Sequence, residues 1–340
     1  MNAPDDKKVT PRRLMQFAWG FSAPLAIEAA VGNGLFDALA GGPKGLAELG
    51  KVTGASLRGL AALADFLVGI ELLGKDGEGR FQLTEESATF LVSGKPAYQG
   101  AIFRHISRTV MPGWLGLTEI VRRGSPAKDI SSEPTGATFF EDFVEALFPV
   151  NYAAAKTLAE NLATEGLPKP AKVLDLATGS GVWGIAAAQV SPAVRVTAVD
   201  WPQVLEVTKR VVAKFGLSDR FDFSAGDLLQ ADFGTGHGLA TLGHILHTEG
   251  EARSRALLVK TFAALAPGGR IAIAEFLVNE DRTGPVSGLT FSINMLVNSK
   301  TGRTYSFEEI RDWLGEAGFT APRLMEAPAV SPLILAEKPG

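Results

Sequence analysis

The chain has 340 residues, of which 46% are hydrophobic and 21% are charged, and its formal net charge is −4. This length predicts two folded domains, and the even spread of charge gives no electrostatic reason to expect nucleic acid or an acidic membrane as a partner. The absence of cysteine excludes disulfides, thiolate zinc sites and cysteine nucleophiles, and it fits a cytoplasmic location.

Residues 1–100 are predicted to form a helical domain, because apolar residues recur there at helical spacing. Two helical patterns meet before Ser56, a candidate N-cap, and a hairpin is predicted at Gly74–Leu83 before Thr84, which can cap a short helix. Helix–turn–helix followed by a hairpin is the outline of a winged helix. No apolar segment runs for about 18 residues without glycine, proline or charge, so no membrane span is predicted.

A winged helix raises the alternative of a DNA-binding regulator. Residues 1–110 contain 12 Lys and Arg against 11 Asp and Glu, a net charge of +1, and the candidate recognition helix from Ser56 to Ile70 has one arginine on a mostly apolar surface. Phosphate contacts need a basic face. We therefore expect this domain to form a homodimer interface and not to bind nucleic acid.

Residues 101–168 are predicted as a helical region that contributes to an acceptor pocket, and residues 169–340 as an α/β domain. Predicted strands are Lys172–Thr178, Val194–Asp200, Phe221–Ala225, Leu239–Leu246, Arg270–Leu277 and Leu333–Ala336. Predicted helices are Val182–Gln189, Gln203–Phe215, Arg253–Leu265 and Phe307–Glu316. This alternation predicts a doubly wound, Rossmann-like parallel sheet, on which ligands bind beyond the carboxyl ends of the strands.

A glycine-rich turn joins the first strand of this domain to its first helix. Gly179 and Gly181, on either side of Ser180, let the backbone turn sharply and let a ligand approach, and the next helix offers unpaired N–H groups. The second strand ends at Asp200, where a carboxylate can accept hydrogen bonds from ribose hydroxyls. These residues are candidates for binding a nucleoside-containing cofactor.

The spacing of Gly179, Gly181 and Gly184 also fits the dinucleotide fingerprint, so NAD is an alternative, as is a turn without a ligand. Asp175 at the strand end would repel a pyrophosphate and attract a cationic sulfonium that carries an ammonium group. A helix, a Pro-Gly-Gly turn and a buried strand at Ala263–Phe276 favour the same ligand. We therefore predict S-adenosyl-L-methionine as the cofactor.

Two further positions are candidates for contact with the adenine of that cofactor. Asp227 could accept a hydrogen bond from the amino group while Leu228 packs on the ring, and Trp201 could lie against the adenine face. The alternatives are a solvent-facing loop acid for Asp227 and a core tryptophan for Trp201.

The segments LDLATGSGVWG, TAVDWPQVLEV, AGDLL, GHILHTEGEARSRALL and APGGRIAIAEF occur in this order. Together they resemble the class I S-adenosylmethionine-dependent O-methyltransferases of the caffeate and acetylserotonin type, in particular their bacterial branch. The resemblance implies a Rossmann-like catalytic domain behind an all-helical winged-helix dimerisation domain. It also implies methyl transfer to a hydroxyl of a small, largely apolar aromatic acceptor of secondary metabolism.

The resemblance implies His247 as the general base and Glu275 as the carboxylate that orients it. Neutral imidazole suits proton removal from a phenol, and the carboxylate would fix its tautomer. His244 is expected to line the cofactor pocket or to be structural; with no third ligand nearby, no metal is predicted. The sequence departs from the family pattern at four positions, Ala177, Gly243, Thr248 and Thr304.

Candidates for the acceptor pocket lie before and after the Rossmann-like core, and an ordinary core role is the alternative for each. They are Phe143, Phe148, Asn151, Phe291, Asn294, Met295 and Asn298. An apolar cavity with a few amide groups would suit a flat aromatic acceptor. The altered residues at positions 248 and 304 leave open a protein with the same fold and cofactor that methylates carbon or nitrogen, or does not methylate.

Overall fold

The computed structural model describes residues 9–127, 129, 144–167 and 170–340. The chain divides into two compact units, Met1–Thr109 and Val110–Gly340. Phe143, one of the acceptor-pocket candidates, lies outside the described residues.

The first unit is helical with one β-hairpin. Its helices are α1 (Arg12–Ala18), α2 (Ser22–Gly32), α3 (Leu35–Leu39), α4 (Leu46–Thr53), α5 (Leu57–Gly69), α6 (Glu85–Phe90) and α7 (Gly100–His105), and the hairpin pairs β1 (Leu73–Lys75) with β2 (Phe81–Leu83). Ser56 and Thr84 cap α5 and α6 as predicted, because each side-chain oxygen accepts a backbone N–H of the first turn. Helices α4 and α5 meet at 113°, an angle typical of a helix–turn–helix.

The N-terminal stretch Arg12–Gly32 exposes much of its apolar surface. The helical stretch has 21 residues, and an 18-residue window within it has a mean hydropathy of 1.2, which by length and composition alone would suit a membrane span; 11% of this window is buried. The stretch is broken, since α1 ends at Ala18 and α2 begins at Ser22. Its exposed apolar side chains, named here the N-terminal apolar surface, are Leu14, Met15, Phe17, Trp19, Phe21 and Leu25.

The second unit begins with helices and continues as an α/β domain. Its described helices are α8 (Met111–Trp114), α9 (Leu117–Arg123), α10 (Phe148–Glu165), α11 (Val182–Val190), α12 (Pro202–Lys214), α13 (Leu246–Glu249), α14 (Glu251–Ala264), α15 (Val286–Asn298) and α16 (Phe307–Glu316). A π-helical segment, Ile106–Val110, and two 3-10 turns, Val144–Leu147 and Ser218–Arg220, complete the described helical elements.

Seven strands form the central sheet of this unit, in the order β10-β11-β7-β6-β3-β4-β5. They are β3 (Lys172–Leu176), β4 (Arg195–Asp200), β5 (Phe221–Ala225), β6 (His237–Gly243), β7 (Leu265–Ala274), β10 (Thr320–Met325) and β11 (Leu333–Glu337), and a short pair joins β8 (Leu277–Val278) to β9 (Tyr305–Ser306). β11 runs antiparallel to both of its neighbours, and the other paired strands of this sheet are parallel.

The α/β prediction is confirmed, and the strand order reverses between β3 and β6, where such sheets bind ligands. Successive side chains of β3 point to opposite faces: Val173 joins the apolar core on one face, and Leu174 and Leu176 join the core on the other. The carboxyl ends of β3 and β6 therefore lie side by side on a sheet that is packed on both faces.

Three of the sequence predictions about strands are corrected. The strand predicted at Leu239–Leu246 ends at Gly243, and the apolar residues after it begin helix α13, since a short apolar run does not distinguish strand from helix. The Pro-Gly-Gly turn lies inside β7 as an irregularity in its pairing with β6, with Gly268 at φ +72°. Strand β10 is missing from the prediction because most of its side chains are exposed or half-buried and it has no apolar alternation.

Helix α11 packs closely on β3 and β4 because Gly184 has no side chain. A Cβ at this position would lie 2.8 Å from Val196 Cγ1 and 3.0 Å from Asp175 Oδ2. We expect Gly184→Ala to lower the free energy of unfolding by about 1–3 kcal/mol through overpacking. Gly315→Ala in α16, where a Cβ meets nothing within 4 Å, should raise it by up to about 1 kcal/mol. Urea titration of both variants tests this, and equal effects would contradict it.

Candidate active site

The glycine-rich turn has three residues in the left-handed region of backbone space. Ala177 has φ +50°, Gly179 φ +53° and Gly181 φ +78°. An alanine in this region is strained, and such strain persists only where the surroundings hold it. Hydrogen bonds hold the residues that follow Ala177: the Thr178 N–H donates to the Val199 carbonyl at 3.1 Å, and the Thr208 hydroxyl donates to the Gly179 carbonyl at 2.7 Å.

Asp175 holds this turn together from beneath. Its Oδ2 accepts from the Thr178 hydroxyl at 2.7 Å and from the Gly184 N–H at 3.1 Å, and its Oδ1 accepts from the Thr241 hydroxyl at 2.7 Å. Since Gly181 begins α11 without a capping side chain, Asp175 provides the cap. Its side chain is fully buried, and this burial raises its pKa to about 6 against the hydrogen bonds that lower it. The structure thus gives it protein partners on both oxygens.

Asp200 ends β4 beside the turn. Its Oδ2 accepts from the Gly179 N–H at 2.9 Å, and its Oδ1 accepts from the Trp201 N–H at 2.8 Å. Burial raises its pKa to about 6, and the two hydrogen bonds oppose this. The Trp201 side chain is half-buried against the core of this face. The carboxylate and the turn therefore lie at the same edge of the sheet, as the sequence predicts.

Asp227 follows β5 and binds protein groups on both oxygens. It accepts from the Leu229 N–H at 2.9 Å and from Arg253 at 2.6 Å, and Arg253 also donates to Glu249 at 2.6 Å. Leu228 is buried in the apolar core of the other face. Arg253 thus links the loop after β5 to helices α13 and α14.

His247 and Glu275 form a buried pair at the ends of β6 and β7. Glu275 Oε1 accepts from His247 Nδ1 at 2.5 Å, and Oε2 accepts from the His247 backbone N–H at 3.0 Å. Burial alone would raise the pKa of Glu275, but His247, by charge and hydrogen bond, makes the net shift downward. Glu275 therefore holds both the ring and the backbone of His247.

Aromatic rings surround the imidazole. Phe291 meets the His247 ring edge-to-face at 4.7 Å, and Phe276 stacks on Phe291 at 3.6 Å between centroids. The His244 ring lies 5.0 Å from Phe276 and 6.5 Å from His247. No described residue accepts or donates a hydrogen bond at His247 Nε2. The free nitrogen of the pair thus belongs to an apolar, aromatic environment.

His244 is fixed by an amide. The Asn151 Nδ2 donates to the Leu147 carbonyl at 3.3 Å, so Oδ1 faces His244 Nε2, at 3.2 Å. Burial lowers the pKa of His244 to about 4, and its φ of +60° is in the left-handed region. A neutral imidazole that donates from Nε2 leaves Nδ1 as a bare acceptor, and Nδ1 is buried without a partner.

The other acceptor-pocket candidates separate into two groups. Asn294 accepts from the Trp114 indole N–H at 3.1 Å and from Asn298 at 3.1 Å, which ties α8 to the helix that carries Phe291. Phe148 instead stacks on Tyr152 and Phe215 at 5.2 and 5.1 Å, and Met295 is buried. Phe291 and Asn151 thus contact the two histidines directly, whereas Phe148 contacts other aromatic residues.

The positions that depart from the family pattern are buried or closely packed. Thr304 is fully buried, and its hydroxyl has no partner among the described residues. At Gly243 a Cβ would lie 2.1 Å from Trp183 Nε1, so the indole of Trp183 fills the space of a side chain there. The described residues contain no cluster of His, Cys, Asp and Glu with the arrangement of a metal site.

A seven-stranded α/β sheet with a glycine-rich turn, an acidic strand end and a buried His–Glu pair defines the class of S-adenosylmethionine-dependent methyltransferases. Family models match the chain twice: an O-methyltransferase dimerisation domain at residues 15–93 and an O-methyltransferase domain at residues 131–320. The chain belongs to this O-methyltransferase family, and S-adenosylmethionine is its cofactor.

Named relatives agree with this assignment. The 3-hydroxy-5-methyl-1-naphthoate 3-O-methyltransferase of Streptomyces sahachiroi is 32% identical, over 92% of this chain and 90% of its own. Human N-acetylserotonin methyltransferase, solved with S-adenosylmethionine, superposes with a TM-score of 0.83 at 27% identity, covering 100% of both chains. A structure from Nostoc punctiforme, provisionally assigned as an O-methyltransferase, superposes with a TM-score of 0.87 at 30% identity, covering 98% of this chain and 100% of its own.

Several residues of the site have no signal in the sequence. Thr178 and Thr241 bind Asp175 from 3 and 66 residues away, and Trp183 lies inside a helix whose residues are nearly all buried. Phe276 directly follows Glu275, so its place could have been inferred from the resemblance. The threonines could have been found only from the strand register, which pairs Asp175 with Thr241.

The raised pKa of Asp175 predicts a specific pH dependence of stability. The pKa is about 6 in the folded protein and ordinarily 3.8, so the folded state binds the proton more tightly. Its contribution is present at low pH and is lost as the pH rises from about 4 to about 6. The stability of the wild type relative to Asp175→Asn should therefore fall by about 3 kcal/mol over this interval, since two pKa units are worth about 3 kcal/mol.

Urea titrations at several pH values measure this difference. Asp222→Asn, at an exposed position of β5, is the matched control and should show no such trend. A difference between wild type and Asp175→Asn that stays constant or grows with pH would contradict the prediction.

Proposed function

We propose that this enzyme transfers a methyl group to a hydroxyl of a small, largely apolar aromatic acceptor, with His247 as the general base and Glu275 as the residue that orients it. The observation that carries the proposal is the pair itself. Glu275 accepts from Nδ1, so Nε2 is the basic nitrogen of the neutral ring, and no described residue occupies it.

The acceptor class follows from the surroundings of that nitrogen. Phe276 and Phe291 provide flat apolar surfaces beside the imidazole, which suit an aromatic ring whose hydroxyl meets Nε2. The two enzymes named above are a hydroxynaphthoate and an N-acetylserotonin methyltransferase, and we take the chemical class, not the compound, from them. Neutral imidazole would accept the phenolic proton, and Glu275 would stabilise the imidazolium that forms.

The fit of the cofactor rests on this chain's own groups. When bound, S-adenosylmethionine supplies a methyl group on a positively charged sulfur. Asp200 has carboxylate lone pairs left for ribose hydroxyls after its two backbone hydrogen bonds, and Gly179 and Gly181 let a ligand approach the turn. Asp175 supports the turn through its hydrogen bonds to Thr178 and Gly184. Asp227 and Leu228 stay candidates for binding the adenine, provided that the Asp227 carboxylate can accept from the adenine amino group as well as from Arg253.

The test is methyl transfer with labelled cofactor to a panel of hydroxyaromatic compounds, with mass spectrometry of the product. His247→Gln should lower kcat by about 10²–10⁴-fold, the usual contribution of a positioned base, with cofactor affinity unchanged. Glu275→Gln should also lower kcat. Tight cofactor binding without transfer to any hydroxyl would refute O-methylation, and undiminished turnover of His247→Gln would refute only the base.

We also propose that the enzyme is a homodimer through its first unit. The chain matches an O-methyltransferase dimerisation domain over residues 15–93, and the N-terminal apolar surface falls largely within this range. Contiguous exposed apolar surface of this kind marks interaction sites. The winged-helix outline of α4, α5 and the hairpin is then a dimerisation module, with no basic face for nucleic acid.

Charges placed on this surface should prevent dimer formation. The double variant Leu14→Glu and Phe17→Glu should elute as a monomer in size-exclusion chromatography with light scattering, because two charges per subunit would be buried. Val259→Glu, at an exposed apolar residue of α14 in the other unit, is the control and should leave the dimer intact. A monomeric wild type would refute the proposal.

A further inference from the structure

Two polar atoms near the carboxyl end of β6 have no hydrogen-bond partner among the described residues. Trp183 on α11 is 6% exposed, and its indole N–H donates to none of the described residues. His244 Nδ1 is buried and likewise has no partner. Buried polar atoms such as His244 Nδ1 are nearly always hydrogen-bonded, and leaving such an atom without a hydrogen bond costs free energy. One donor and one acceptor are thus available to a ligand.

The backbone places Trp183 and His244 at the same end of β6. Nε1 of Trp183 lies against Gly243, 2.1 Å from where a Cβ would be, and His244 is the next residue. β6 pairs with β3 up to Leu176 and Leu242, so this end of β6 lies beside the glycine-rich turn. Only glycine fits at position 243 while the indole occupies this position. The donor is therefore held at the edge of the sheet where the cofactor binds.

The acceptor is equally fixed. Asn151 presents its oxygen to His244 Nε2, which must then carry the proton, and the ring is kept neutral by burial. In the neutral ring Nδ1 is left with a lone pair, and the other neutral tautomer, in which Nδ1 is a donor, would lose the bond to Asn151. A ligand group that meets Nδ1 must donate a hydrogen bond, and one that meets the indole must accept one.

We propose that Trp183 and His244 bind the amino acid end of S-adenosylmethionine, with the indole N–H donating to its carboxylate and its ammonium donating to His244 Nδ1. An α-amino acid carries these two groups on one carbon, which matches an acceptor and a donor on neighbouring positions. A phenolic acceptor carries no such pair of an anionic acceptor and a cationic donor on one carbon. The inference concerns the cofactor alone and does not depend on the role of His247.

The test compares two ligands by isothermal titration calorimetry, so that no methyl transfer is needed. S-adenosylhomocysteine has the amino acid end, and 5′-methylthioadenosine has the same nucleoside and sulfur without it. Trp183→Phe keeps the ring and removes the N–H. It should weaken S-adenosylhomocysteine about tenfold or more, the value of a hydrogen bond to a charged group, and leave 5′-methylthioadenosine unchanged.

His244→Phe should also reduce the ratio of the affinity for S-adenosylhomocysteine to the affinity for 5′-methylthioadenosine. Asn151→Asp is a milder variant that keeps the His244 ring. An aspartate beside Nε2 favours the imidazolium, so Nδ1 becomes a donor and the preference for S-adenosylhomocysteine should fall as the pH is lowered. Equal weakening of both ligands, or no weakening, overturns the proposal. An unchanged ratio with a raised KM for the aromatic acceptor also overturns it and assigns the two atoms to the acceptor instead.

Discussion

The buried carboxylate of Asp175 is the constraint on which the cofactor side of the enzyme depends. It joins three elements that are adjacent in space: the turn through Thr178, helix α11 through the Gly184 N–H, and strand β6 through Thr241. A carboxylate taken out of water is tolerated only when such donors surround it. Because these donors come from separate elements, the left-handed turn, the start of the helix and the end of β6 are held in one arrangement.

Glu275 does the same on the acceptor side. It binds the ring of His247 and the backbone N–H of the same residue, so the start of α13 and the direction of the imidazole are fixed together. Methyl transfer is an in-line displacement, in which most of the rate comes from holding two groups in register. Asp175 on β3 and Glu275 directly after β7, on either side of β6 in the same sheet, meet this requirement, because side chains held on packed strands are positioned more precisely than side chains on loops.

The sequence predicts the sheet well because each β-strand of the core is apolar and each helix starts at a recognisable turn. Asp200 is predicted as a candidate because it ends a strand, whereas His247 and Glu275 are candidates through the family resemblance, and the structure places them in α13 and directly after β7. The sequence does not find what lies across the sheet: Thr241 is distant in the chain, and nothing local marks it as a partner of Asp175. The attraction of Asp175 for a cationic ligand stays a prediction, and the sequence does not show that both of its oxygens accept hydrogen bonds from protein groups.

Thr248 and Thr304 stand where the family pattern has carboxylates, so they affect which residues can stabilise a positive charge on His247. Thr304 is fully buried and its hydroxyl has no partner among the described residues, Thr248 is buried in α13, and neither side chain carries a negative charge. In the proposed mechanism, the carboxylate that stabilises the imidazolium is therefore Glu275. Its lowered pKa keeps it ionised at neutral pH, and both of its oxygens bind His247. A single carboxylate that makes two bonds to one residue fixes both its ring and its backbone, so the proposed mechanism does not require an acidic residue at position 248 or 304.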